Sequence, residues 1–295
     1  LYLGKNYRMY SKFVVFVSLL SSLTLSIPAN SSPDLIVNSI KEVEQNLGAK
    51  VGVSIYSVSD GYLWHYNGDS RFPLMSTFKT LACAKLLHDV ETAKLSIDRS
   101  VKIEEQDLIT WSPITEKLVG ESFSLKQACT AAMVMSDNTA ANIVLDGISG
   151  PSELTLFMKE LGDEVTRLDR IEPHLNEARS GDERDTTTPN AIVKSLGKLL
   201  YGEKLSSGSK EQLIEWMAGN KVSDSLLRSV LPEGWSIADR SGAGGFGSRG
   251  ITAAIWSNEQ QPLIVAIYLT QTEASFDERN KAIAKIGREI FASYN

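Results

Sequence analysis

The chain of 295 residues is long enough for one large domain or for two closely packed ones. Its composition, 42% hydrophobic and 22% charged, is typical of a soluble globular protein with a sizeable core. The net charge of −6, spread without a long run of one sign, argues against a basic nucleic-acid-binding surface.

Residues 1–29 have the pattern of an N-terminal extension followed by a signal peptide. Met9 is the expected start of translation, Lys12 supplies the positive charge, and residues 13–25 form an apolar stretch too short for a comfortable transmembrane span. We expect cleavage after Ala29 and a periplasmic or secreted mature protein. An uncleaved membrane anchor is the alternative.

Hydrophobic periodicity predicts an N-terminal helix over residues 34–47, followed by strands over 50–58 and 62–66. The helices predicted for the middle of the chain cover residues 76–91, 125–135, 138–148, 151–161, 188–200 and 210–218. The polar, aperiodic segment 167–185 is predicted to be a long ordered loop, a kind of segment that is often functional inside a compact domain.

The last predicted elements are strands over residues 235–239, 250–257 and 263–270 and a helix over 276–294. This order predicts an α+β fold in which the terminal strands form one antiparallel sheet covered by the terminal helices. Within a catalytic unit over 30–295, we expect an α/β part over about 32–74 and 219–295 and an all-α part over about 75–218. A cleft between the two parts is the natural ligand site.

Ser76 and Lys79 lie one helical turn apart at the start of a predicted helix. A serine hydroxyl needs a base to become a good nucleophile, and a helix N-terminus favours developing negative charge. The same spacing occurs at two other places, where we expect ordinary exposed helix residues: Ser195/Lys198 and Ser207/Lys210. The motif alone is therefore weak.

Two further segments have both a functional and a structural interpretation. Ser136-Asp137-Asn138 either caps the next helix or supplies a proton relay at Ser136 and an amide anchor at Asn138. Residues 239–243 form either a surface strand or an edge that binds a substrate amide, with Arg240 placed to attract a carboxylate.

Glu172 and Asn176 stand four residues apart in the long loop, where a carboxylate and an amide could hold one water molecule. The alternative for Glu172 is a solvated surface charge. Cys83 and Cys129, the two cysteines of the chain, suggest one disulfide in an exported protein; two buried free thiols are the alternative. Neither cysteine has a histidine at metal spacing, so no metal site is expected.

Taken together and in this order, these features resemble the class A serine β-lactamases over nearly the whole chain after the signal. The similarity includes the segments RFPLMSTFKT, MSDNTAAN, RLDRIEPHLNEA and ADRSGAGGFGSRG. One motif departs from the family, which mostly has Lys-Thr/Ser-Gly where this chain has Arg240-Ser241-Gly242; that variant resembles the carbenicillin-hydrolysing subgroup. Arginine stays protonated, which favours a purely electrostatic role at this position.

The resemblance implies a role for each matching residue. Ser76 would be the nucleophile, Lys79 its proton partner, and Ser136 the relay to the departing ring nitrogen. The backbone N–H groups of Ser76 and Ala243 would form the oxyanion hole. Glu172 would activate a water molecule, with Asn176 as its second anchor.

For substrate binding, the resemblance implies that Asn138 holds the side-chain amide of the substrate. Arg240, Ser241 and Arg249 would bind the substrate carboxylate. Gly242 would let the ligand approach the backbone closely, and Trp111 would close the lip of the pocket. The structural roles implied are a loop-bracing pair and the family disulfide: Arg170 with Asp185, and Cys83 with Cys129.

The expected partner is a small-molecule β-lactam, with no cofactor, no nucleic acid and a monomeric protein. Penicillins, including α-carboxypenicillins, are expected to be better substrates than oxyimino-cephalosporins. The alternatives are a penicillin-binding DD-peptidase and a β-lactam sensor domain, both of which would lack the deacylating carboxylate at Glu172. Another hydrolase class is disfavoured because the chain has no G-x-S-x-G elbow.

Overall fold

A five-stranded antiparallel sheet lies at the centre of the computed structural model, which describes residues 32–294. Its strands are β1 (Lys50–Ser57), β2 (Leu63–Tyr66), β7 (Trp235–Ala243), β8 (Arg249–Ser257) and β9 (Leu263–Thr270). Their order in the sheet is β2-β1-β9-β8-β7. Two N-terminal strands therefore pair with three C-terminal ones, as predicted, and β7 ends up at an edge.

Both faces of the sheet are covered. The sequence of β9, LIVAIYLT, is apolar almost throughout rather than alternating, and all of its residues are buried. One face packs against α1 (Ser32–Leu47) and α8 (Phe276–Tyr294), whose apolar side chains share a core cluster with β1, β8 and β9. The prediction that the two terminal helices cover the sheet is confirmed.

The helices of the middle of the chain are α2 (Phe78–Glu91), α3 (Leu125–Val134), α4 (Asn138–Gly147), α5 (Pro151–Glu160), α6 (Pro189–Leu200) and α7 (Ser207–Ala218). They share a second apolar cluster with the opposite face of the sheet. Most of α2 is buried, as expected for a helix surrounded by others. The α+β fold predicted from the order of elements is confirmed.

A disulfide joins α2 to α3. Cys83 and Cys129 are fully buried, with their Cα atoms 5.8 Å apart and a separation of 46 positions in sequence. Closing a loop of this length stabilises the fold by roughly 4 kcal/mol on the chain-entropy account. The predicted pairing is confirmed, and the alternative of two free thiols is excluded.

Several short elements were not predicted. They form two small two-stranded sheets: β3 (Phe72–Pro73) with β6 (Thr186–Thr187), and β4 (Ser100–Lys102) with β5 (Ser122–Ser124). Strands this short show no alternation of apolar and polar residues, which is why the sequence pattern misses them.

The loop over residues 167–185 contains one 3₁₀ turn, His174–Asn176, and is otherwise irregular, as predicted. The residues that the structure describes belong to one compact unit, so the division into an α/β and an all-α part stays a prediction. The predicted signal peptide over 1–29 lies outside the described residues. Among residues 32–294, no helix combines the length and apolar composition that crossing a bilayer requires.

Candidate active site

Ser76 lies in a 3₁₀ turn, Met75–Thr77, that runs directly into α2. Lys79 is in the first turn of α2, and its Nζ donates a hydrogen bond of 2.9 Å to Ser76 Oγ. Met75 has a φ of 50°, an uncommon value for a residue that is not glycine, which the surrounding structure must stabilise. The turn therefore fixes the serine hydroxyl above the lysine, as the spacing predicted.

Lys79 is the shared contact of the site. Its Nζ also donates to Ser136 O at 2.9 Å, to Ser136 Oγ at 3.3 Å and to Asn138 Oδ1 at 2.6 Å. Glu172 Oε1 lies 3.2 Å from the same nitrogen. Three segments that are distant in sequence thus converge on one ammonium group.

The Ser136-Asp137-Asn138 segment caps the next helix, and its functional interpretation stays a prediction. Asp137 is the N-cap of α4, where its side chain accepts from the Ala140 N–H at 2.8 Å. The residues on either side of it are thereby directed toward Lys79. Ser136 has a φ of 59°, so its backbone is left-handed like that of Met75.

Burial controls the charge of Lys79. The side chain is inaccessible to solvent, and burial lowers the pKa of Lys79 to about 8. The nearby carboxylate of Glu172 opposes that shift, and the positive charge of Arg240 adds to it. A neutral amine is consequently accessible within the ordinary working range of pH.

Glu172 is fully buried, which excludes the alternative of a solvated loop charge. Its Oε2 accepts a hydrogen bond of 2.5 Å from Asn176 Nδ2. Its Oε1 is at ion-pair distance from Lys79, but the angles there are not those of a hydrogen bond, and within the described part of the chain Oε1 has no donor. The predicted carboxylate–amide pair is therefore present.

Asn142, which the sequence analysis did not single out, holds the backbone of Glu172. Its Oδ1 accepts from the Glu172 N–H and its Nδ2 donates to the Glu172 carbonyl, both at 3.0 Å. Asn142 lies one turn after Asn138 on α4, so the repeated asparagine at helical spacing was an available signal.

Arg170 and Asp185 form an ion pair within the loop, and their role as its brace stays a prediction. Arg170 Nε donates to Asp185 Oδ2 at 2.5 Å, and Asp185 Oδ1 accepts from the backbone N–H groups of Asp169 and Arg170 at 2.7 and 2.9 Å. Arg170 Nη1 also donates to Glu177 Oε2 at 2.8 Å. Asp185 is fully buried, so its oxygens need these donors as partners.

Strand β7 passes directly against the serine turn. A Cβ on Gly242 would lie 2.8 Å from the Ser76 backbone nitrogen, closer than real Cβ atoms come, so glycine is required here. Ala243 follows on the same strand and pairs with Arg249 of β8. Hydrophobic periodicity alone ends this strand at residue 239, whereas the structure continues it to residue 243, as both interpretations of residues 239–243 expect, because residues 240–243 keep their pairing with β8.

Two buried arginines lie here, Arg240 on β7 itself and Arg249 at the start of β8. Arg240 Nη1 donates to the Met133 carbonyl at 2.8 Å and its Nε to the Ser241 carbonyl at 3.0 Å. Arg249 Nη1 donates to the Gly242 carbonyl at 2.8 Å. Burial lowers the pKa of each arginine to about 10, so both remain protonated at neutral pH.

A cleft of about 360 Å³ opens beside these groups. Its lining contains ten of the predicted residues: Ser76, Trp111, Ser136, Asn138, Asn176, Arg240, Ser241, Gly242, Ala243 and Arg249. Val222 and Phe276 complete the lining and were not predicted. Trp111 is 56% exposed and is anchored by a 3.0 Å hydrogen bond from its Nε1 to the Met135 carbonyl.

The other predicted residues lie outside the lining. Lys79 and Glu172 lie directly behind it, because Lys79 donates to the lining residue Ser76 and Glu172 accepts from the lining residue Asn176. The disulfide and the Arg170–Asp185 pair hold segments of the chain together. One expectation is wrong: Ser195 is buried rather than exposed, because it lies on the inward face of α6 and donates to Asp163 Oδ2 at 2.7 Å.

Residues 35–294 match the family model described as "Beta-lactamase enzyme family". The chain is 53% identical to Beta-lactamase CARB-4 and 52% identical to Beta-lactamase PSE-4, both of Pseudomonas aeruginosa, over 96% of this chain and 97% and 98% of theirs. The crystal structure of the chromosome-encoded β-lactamase of Vibrio parahaemolyticus gives a TM-score of 0.86 at 51% identity, covering 88% of this chain and 99% of that one. An ancestral class A β-lactamase gives 0.85 at 42% identity, covering 88% of this chain and 100% of its own.

Replacing Asp185 tests the brace of the loop. Asp185→Asn removes the negative charge from a buried ion pair and leaves Arg170 without its main partner, so we expect the free energy of unfolding to fall by ~3–5 kcal/mol. Urea denaturation measures this change. Arg184→Gln, which breaks an exposed ion pair with Asp182 in the same loop, is the control and should leave the denaturation midpoint unchanged. Equal effects of the two substitutions would refute the brace.

Proposed function

Because this chain belongs to the β-lactamase enzyme family, class A, we propose that Ser76 opens the β-lactam ring of penicillins and that Glu172 activates the water that releases the product. The observation that supports this most directly is the convergence of both groups on one atom. Ser76 Oγ and Glu172 Oε1 lie 2.9 and 3.2 Å from the same Lys79 nitrogen. Nucleophile and loop acid therefore act at one reaction centre.

In the first step, Ser76 Oγ attacks the carbonyl carbon of the β-lactam. Its proton passes to a base, and the carbon–nitrogen bond of the ring breaks as an ester forms on the serine. Ser136, in contact with Lys79, returns a proton to the departing ring nitrogen. The base is Lys79 or Glu172, and the lowered pKa of Lys79 supports the amine.

The negative charge that develops on the carbonyl oxygen needs two N–H donors. The backbone N–H groups of Ser76 and Ala243 are the proposed pair, supported by the close approach of β7 to the serine turn. Losing one donor of this kind typically raises the barrier by ~3 kcal/mol.

In the second step, the oxygen of a water molecule attacks the carbonyl carbon of the ester, and the bond from that carbon to Ser76 Oγ breaks. The proton that the water loses returns to Ser76 Oγ, which frees the opened product and restores the enzyme. Glu172 Oε1 and Asn176 Oδ1 are both buried acceptors that no side chain or backbone group of residues 32–294 satisfies. A single water molecule donating to both would be oriented by the amide and deprotonated by the carboxylate. The Asn142 clamp and the Arg170–Asp185 brace keep these acceptors in place, so loosening the brace would slow this step more than the first.

We propose that the two ends of the cleft bind different parts of the substrate. Arg240, Ser241 and Arg249 attract the substrate carboxylate, while Asn138 and the exposed Trp111 border the amide side chain. The amide of Asn138 already donates to Thr110 O at 2.8 Å and accepts from Lys79, which fixes its orientation for that contact. Both arginines are charged at neutral pH, which supports an anionic ligand at their end of the cleft.

The alternatives of a DD-peptidase and a sensor domain are not favoured. Both retain an acyl-enzyme for longer because they lack a carboxylate that activates water, whereas Glu172 is buried beside Lys79 here. We further propose that the chain is exported to the periplasm or secreted, that it acts as a monomer, and that its α/β and all-α parts meet at the cleft. The apolar segment 13–25 supports the proposed export.

Replacing Glu172 tests the second step. Glu172→Gln keeps the size and the hydrogen bond to Asn176 but removes the base, so deacylation of benzylpenicillin should slow by about 10²–10⁴-fold. Mass spectrometry should then detect an adduct on Ser76. Glu183→Gln, an exposed carboxylate of the same loop, is the control and should turn over normally. Normal turnover of Glu172→Gln without a trapped adduct would overturn the assignment.

The pH dependence of acylation tests the first step in the same variant. Only the neutral amine of Lys79 accepts a proton, so the rate should rise as pH rises through the pKa of Lys79, about 8 in the unmodified protein. Removing the charge of Glu172 removes an influence that raises this pKa, so the midpoint in Glu172→Gln should lie below 8. Stopped-flow acylation from pH 5.5 to about 9.5 measures it. An absence of acylation at every pH would assign the base to Glu172.

The Arg240-Ser241-Gly242 motif predicts the order of substrates. Because the motif resembles that of the carbenicillin-hydrolysing subgroup, kcat/KM should be higher for carbenicillin than for cefotaxime. Steady-state kinetics with both compounds checks this order, and Arg240→Lys should reduce the preference because lysine lacks the planar fork. Faster hydrolysis of cefotaxime by the unmodified protein would contradict the substrate class while leaving the chemistry of Ser76 intact.

A further inference from the structure

Phe276 is a cleft residue for which neither the motifs nor the proposed chemistry provides a role. It is the first residue of α8, it lines the cleft, and its side chain is 50% exposed. An aromatic ring so exposed gains little from burial. Its position in the structure therefore calls for another explanation.

The ring of Phe276 faces two cations. The guanidinium carbon of Arg249 lies 4.8 Å from the ring centroid, and that of Arg279 lies 5.6 Å from it. Both distances are within the range of a cation–π contact. The contact with Arg249 is the stronger of the two, because Arg249 is buried and such contacts strengthen when the cation is removed from water.

The hydrogen bonds of Arg249 leave its face unsupported. Nε donates to Asn280 Oδ1 and Nη1 donates to the Gly242 carbonyl, both at 2.8 Å. Hydrogen bonds of a guanidinium lie in its plane, so these two hold two of its edges, whereas the ring of Phe276 adds a contact at the guanidinium carbon. Within residues 32–294 the Arg249 side chain donates only these two hydrogen bonds, which leaves Nη2 available to an anionic ligand.

We propose that Phe276 is a positioning residue that fixes the plane of Arg249, so that the free Nη2 edge meets the carboxylate of the β-lactam. This inference rests on the proposed function of Arg249. The carboxylate is remote from the bond that breaks, so its contact contributes equally to the bound substrate and to the transition state. Phe276 should accordingly influence KM and leave kcat unchanged.

Two substitutions separate the aromatic face from simple bulk. Phe276→Leu keeps an apolar side chain of similar reach but has no π face, whereas Phe276→Tyr keeps the face. Phe246→Leu is the matched control, because Phe246 is 46% exposed, lies on the connection between β7 and β8, and does not line the cleft. Thermal unfolding midpoints of all three variants verify that they are folded.

Each variant is assayed with benzylpenicillin and with its methyl ester, which lacks the negative charge. Phe276→Leu should raise KM for benzylpenicillin by about three- to tenfold, with kcat unchanged and KM for the ester unchanged. Phe276→Tyr should restore the KM of the unmodified protein, and Phe246→Leu should not alter it. A similar rise in KM for acid and ester, or an equal loss in Phe276→Tyr, would overturn the proposal.

Arg249→Ala distinguishes this inference from the function on which it rests. If this variant discriminates acid from ester but Phe276→Leu does not, the positioning role of Phe276 is wrong and the role of Arg249 stands. If Arg249→Ala affects acid and ester alike, the proposed carboxylate site itself is wrong.

Discussion

The architecture of the site depends on one buried ammonium group. Lys79 contacts Ser76, Ser136, Asn138 and Glu172 from the first turn of a largely buried helix. A buried charge must be matched by partners, and the partners come from the turn before α2, the connection from α3 to α4, and the long loop. The contacts that hold those three segments together are consequently the contacts that form the reaction centre.

The motif residues could be predicted from sequence because the chemistry restricts which amino acids can stand at each motif position. Ser76, Lys79 and Glu172 were identified from spacing and family resemblance, and the structure places them in contact. Phe276 could not be identified, since an aromatic residue at the start of a helix looks like any surface residue. It lies 200 positions from Ser76, and the two residues meet at one cleft only in the folded chain.

The errors in secondary structure have a similar cause. The predicted end of β7 falls short because Arg240, Ser241 and Gly242 interrupt the apolar pattern, although the backbone there remains paired with β8. These residues line the cleft. At functional positions such as these, the hydrophobic pattern of the sequence is a poor predictor of secondary structure. The error at Ser195 concerns burial rather than secondary structure. This small polar residue of an apolar helix is buried because Asp163 accepts its hydrogen bond.

The close approach of Gly242 to the Ser76 turn has one more consequence. The turn at residues 75–77 packs on the face of the sheet, where Gly242 of β7 and Gly250 of β8 leave room for Met75. A side chain at residue 242 would meet the backbone nitrogen of Ser76 itself. The position of the nucleophile is thus set by the absence of side chains on the strands beneath it.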